Sequence, residues 1–151
     1  MKKFVAALLT TACAVGFAMP VFAASGSGGD NDAMACTVSV EYLRSGTARL
    51  TYNKDFVVGP NSPFSDDFSS ATRLRFFDAT VTYVDGIPEV SAVFDADVDV
   101  FNAVQFGFTL KVRDESNGET QSGYNTFFSS VTGASGSHRS NYTMTCARAQ
   151  I

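Results

Sequence analysis

The sequence predicts an all-β fold, an antiparallel sandwich or flattened barrel of about eight strands. Three observations carry that expectation. From Cys36 onward apolar and polar residues alternate in period two. Turn-forming residues punctuate the chain at short intervals, and no window sustains a capped helical period.

Expected strands cover 37–42, 48–52, 72–77, 79–84, 87–101, 103–113, 119–132 and 140–148. Asp85-Gly86 is a two-residue hairpin signal that sets Val84 opposite Ile87 and Phe77 opposite Phe94. Val81, Ala79 and Val90 then share one apolar face, with Asp78, Thr80 and Thr82 on the other. Extending this register backwards puts Leu74 and Phe76 on the face of Asp95 and Asp97. A bulge near Phe76-Phe77 is therefore expected, returning those residues inward and bringing Arg73 and Arg75 to the aspartates. Asn117-Gly118 predicts a second hairpin with Phe108 opposite Phe127 and Phe128 covering Gly107. Phe56–Ala71 and Gly133–Arg139 read as long loops, where binding residues tend to sit. Asp66–Thr72 has room for one short helical turn.

The first 23 residues read as a secretory signal peptide of bacterial type. Lys2 and Lys3 precede a short apolar stretch, and Val21-Phe22-Ala23 supplies a small-residue cleavage signal. The stretch is shorter than the roughly 20 apolar residues that span a bilayer, so no transmembrane segment is expected after cleavage. Cys13 lacks the upstream aliphatic residue that lipidation would require. Residues 24–35 read as a flexible Gly/Ser-rich leader, and 36–151 as a single domain. Cleavage after Ala23 leaves 9 basic and 15 acidic residues, net −6. That balance speaks against nucleic acid as a partner. The cysteines remaining are Cys36 and Cys146, outside any metal-binding cluster and expected to form one disulfide. Location in the periplasm or outside the cell follows.

Asp95, Asp97 and Asp99, at every second residue, are the candidate metal ligands, Ca²⁺ being the ion suited to several carboxylates. An extended strand separates such side chains by about 6.5–7 Å, too far for one ion without curling of the chain. The competing reading is a solvated strand face. Asp66 and Asp67 could complete an ion site or, with Tyr124 and Tyr142, form a binding surface. His138, the only histidine, lies in a Gly/Ser-rich turn without a nucleophile elbow. No catalytic residue and no obligatory cofactor is expected. The function anticipated is a non-catalytic exported module recognising a protein or carbohydrate. The alternatives are an assembly subunit associating through sheet edges and a Ca²⁺-binding adhesion-type domain.

Overall fold

A computed structural model describes residues 32–150. The expected signal peptide and most of the expected leader fall outside the described residues. Eight strands follow in order: β1 (Met34–Arg44), β2 (Thr47–Val58), β3 (Phe64–Asp67), β4 (Arg75–Val84), β5 (Ile87–Asp97), β6 (Ala103–Lys111), β7 (Glu119–Ser129) and β8 (Gly136–Arg148). They form two four-stranded antiparallel sheets, ordered β2-β1-β8-β7 and β3-β4-β5-β6. Among the described residues no helix is long and apolar enough to cross a membrane.

The inward residues of both sheets make one core. Val38, Val40, Tyr42 and Met144 from the first sheet meet Phe77, Val90, Phe94 and Leu110 from the second. Aromatic rings fill the space that Trp would otherwise take. Tyr52, Phe56, Phe64 and Phe68 pack around Phe77 and Phe94 toward the β2/β3 side. Phe106, Phe108 and Tyr142 stack toward the β6/β7 side. Cys36 and Cys146 lie directly opposite each other on β1 and β8 and are joined by a disulfide. The bond spans 110 residues and ties the first strand to the last. On the chain-entropy model, closing so long a loop stabilises the fold by about 4–5 kcal/mol.

The Asp85-Gly86 hairpin has the expected register, Val84 opposite Ile87 through Phe77 opposite Phe94. Both turn residues have positive φ, 54° and 78°, as a type I′ turn requires. The expected bulge at Phe76-Phe77 is absent, and β4 pairs with β5 without interruption from Arg75 to Val84. Regular pairing satisfies more backbone than a bulge would. The Asp97 amide donates to the Leu74 carbonyl at 2.9 Å, and the Leu74 amide donates to the Asp97 carboxylate at 2.9 Å. Leu74 stays 65% exposed as a result. Arg75 donates to the backbone carbonyl of Asp97, not to its carboxylate. A register shift does occur, but in β1 against β2, between Tyr42 and Leu43.

The second expected hairpin is not formed. β6 pairs with β5 in one sheet, and β7 pairs with β8 in the other. Phe108 faces Ala92, Phe127 faces His138, and Gly107 faces Val93. The connection crosses between sheets because its middle is anchored. Val112 is buried, with its amide on the Pro88 carbonyl, and Glu115 accepts both the backbone amide and the Nε of Arg148 at the end of β8. Asn117-Gly118 closes a wider turn against Asp114.

Other boundaries also move. β1 begins at Met34, so Met34 and Ala35 belong to the domain and not to the leader. The expected loop 56–71 contains the end of β2 and all of β3, and β8 starts at Gly136.

Candidate functional site

The acidic residues do not converge. Asp95 and Asp97 lie on β5, while Asp99 lies beyond its end. Asp95 accepts from the Gln105 amide at 3.2 Å, and Asp97 accepts from the Leu74 amide. Asp99 caps its own loop, receiving the backbone amides of Phe101 and Asn102 and the Asn102 side chain. Burial pushes the Asp99 carboxyl up, but those hydrogen bonds outweigh it and hold the group below its ordinary 3.8.

Asp66 and Asp67 sit on β3, not in a loop, and alternation sends them to opposite faces. Asp66 turns toward the other sheet, accepting from the Tyr52 hydroxyl at 2.9 Å and pairing with Lys54 at 3.1 Å. Asp67 accepts from the Ser69 amide. Among the described residues no three His, Cys, Asp or Glu side chains are grouped to hold a metal ion. An open cleft of about 450 Å³ does lie beside Asp97 and Asp99, lined also by Arg73, Phe101 and Asn102. One oxygen of each carboxylate there accepts backbone amides, Asp97 from Leu74 and Asp99 from Phe101 and Asn102.

His138 is buried, although its neighbours in sequence suggested a surface turn. Its Nδ1 accepts from the Tyr42 hydroxyl at 2.6 Å, which leaves Nε2–H to donate to the Ala134 carbonyl at 3.2 Å. Phe127 stacks on the ring with centroids 4.3 Å apart. Both ring nitrogens are committed to partners that are neither Ser nor Asp. The imidazole braces the 130–135 connection against β1.

Another set of exposed features gathers on the outer face of the β2-β1-β8-β7 sheet. Register places Asp55, Thr37, Thr145 and Thr120 in one row across the four strands, and Asn53, Ser39, Thr143 and Ser122 in the next. Thr120 and Thr145 share a hydrogen bond at 2.8 Å, as do Ser122 and Thr143. The third row ends in Asn141 and Tyr124. Tyr124 is 64% exposed, with the Arg139 guanidinium 4.3 Å from its ring centroid. Arg139 is held in turn by Asn141. Phe128, on the same face four residues along β7, is 75% exposed. Two aromatic residues about 13 Å apart along β7 thus border a field of mostly Thr, Ser and Asn side chains, with Asp55 in the first row and Glu41 in the third.

Of the two tyrosines expected at a binding surface, Tyr124 is on this face. Tyr142 points the other way and stacks on Phe108 within the sandwich, ring centroids 4.3 Å apart. Phe128, Arg139 and Asn141 were not anticipated. Alternation set Phe127 on the apolar face and Phe128 on the other, as observed, but within a pairing to β6 that does not form. No family model and no curated protein matches the chain.

Proposed function

We propose that this chain is an exported, non-catalytic binding module that holds a protein or carbohydrate partner on the outer face bordered by Tyr124 and Phe128. The observation that carries the reading is the exposure of those two rings, 64% and 75%, on a sheet whose neighbouring side chains are Thr, Ser and Asn, with the Arg139 guanidinium over the Tyr124 ring. An aromatic face in water offers apolar area to a sugar ring or an apolar side chain. Hydroxyls and amides beside it fix the partner's orientation at a smaller desolvation cost than charged groups would carry. The cation–π contact of Arg139 holds the Tyr124 ring in place before any partner arrives, which lowers the ordering cost of binding. Export is supported by the layout of residues 1–23 and by the Cys36–Cys146 disulfide, a bond that persists in oxidising compartments.

Immobilised protein is exposed to cell-envelope extract and, separately, to a glycan array. Retention of a defined protein or glycan is expected, weakened at least about tenfold by Tyr124→Ala/Phe128→Ala. Retention unchanged in that variant would place recognition elsewhere. A second reading, assembly through sheet edges, is favoured by one specific feature, the long outer edge of β7.

A further inference from the structure

We propose that β7 is a homodimerisation edge, pairing antiparallel with the β7 of a second copy about a two-fold axis at Tyr124. This deepens the assembly reading and does not depend on what the aromatic face binds.

Four strands end the two sheets: β2, β7, β3 and β6. An edge strand leaves alternate backbone N–H and C=O groups without a strand partner, and charge, brevity or bulges ordinarily blunt it. β2 carries Arg49, Lys54 and Asp55 and contains the register shift against β1. β3 has only 4 residues. β6 ends in Lys111 and has none of the large exposed hydrophobics. β7 differs from all three. It runs 11 residues without Pro or register shift, its only formally charged residue is Glu119 at one end, and it exposes Tyr124 and Phe128.

The occupant argued for is another β7 because the strand is complementary to itself. A two-fold at Tyr124 sets Ser122 opposite Thr126 and Thr120 opposite Phe128 of the other copy, with the two Tyr124 rings side by side. Glu119 falls opposite Ser129, so the two Glu119 carboxylates lie about 34 Å apart, beyond the reach of screened repulsion. A parallel pairing in register would instead stack like residue on like, Glu119 on Glu119. The axis runs perpendicular to the sheet, so both hydroxyl faces join into one eight-stranded surface.

Sedimentation velocity of the purified, disulfide-bonded protein from low micromolar to millimolar concentration tests the proposal. The expected result is a reversible monomer–dimer equilibrium without larger species. Ser122→Lys/Thr126→Lys sets like charges opposite each other twice in the pair and should weaken the dimer at least about tenfold. Ser122→Lys/Thr126→Glu sets opposite charges at the same positions and should keep it. Residues 122 and 126 are both exposed, and both variants lose the Ser122–Thr143 hydrogen bond equally. Thermal melts by circular dichroism verify that each is folded. A monomer at every concentration, an open-ended polymer, or equal association of the two double variants would overturn the proposal. Partner capture that survives in the monomeric variant would leave the binding reading intact.

Discussion

Tyr42 and His138 stand 96 residues apart and share a buried 2.6 Å hydrogen bond between neighbouring strands β1 and β8 of one sheet. Each is at most 1% exposed, so neither can exchange its partner for water. Removing only the hydroxyl strands the Nδ1 acceptor in a dry site, which costs about 1–3 kcal/mol. Tyr42→Phe should therefore lower the denaturation midpoint by that equivalent. Tyr42→Phe/His138→Phe, which removes both polar partners, should recover part of the loss. Urea unfolding followed by circular dichroism measures both, and a Tyr42→Phe midpoint equal to that of the parent would contradict the bond.

At the scale of the element, one small residue of β7 makes room for a ring from β8 to lie across the strand. A Cβ on Gly123 would come within 2.6 Å of Tyr142 Cζ and 2.8 Å of Cε1. That ring is backed by Phe106 and Phe108 and has little room to retreat. Gly123→Ala should therefore destabilise the protein by about 1–3 kcal/mol, the cost of overpacking. In a Tyr142→Ala background the same change should cost much less, a coupling that a double-mutant cycle reads directly. Gly107→Ala on β6 is the control. Its nearest neighbour is the Ala92 carbonyl at 3.4 Å, an ordinary contact, so little change is expected there.

For the whole molecule, the titrating groups define a plateau of stability. Hydrogen bonds from Ser69 and Asn117 hold Asp67 and Asp114 below 3.8, and Asp99 is lowered as well. Groups depressed in the fold contribute stability above their unfolded value, and that stability is lost as pH falls through the folded one. Burial raises Tyr42, Tyr52 and Tyr83 above 10.0, and Tyr52 is further raised by its hydrogen bond to Asp66. Their stabilisation is complete below the unfolded value and is lost as pH rises beyond it. The melting temperature should be flat through neutral pH, falling below about pH 4 and above about pH 10. Melts across that range check the signs. Stability that rose on acidification below about pH 4 would contradict the assignment.

Much of the architecture was legible because it depends on local chemistry. Alternation is a property of consecutive side chains, and Asp85-Gly86 favours a two-residue hairpin turn with positive φ, so the all-β pattern and the β4–β5 register could be read directly. The disulfide was expected from Cys36 and Cys146, the two cysteines beyond the expected signal segment, and with it the meeting of the ends. What escaped was decided across the chain. Asn117-Gly118 resembles a hairpin turn, yet Glu115 on Arg148 and buried Val112 send β7 to the opposite sheet. Aspartates at every second residue resemble a ligand set, yet each was claimed by a nearer amide. Local pattern determines which residues can share a face. Only the packing of two sheets determines which face is dry, which hydrogen-bonding groups already have partners, and which strand is left at the edge.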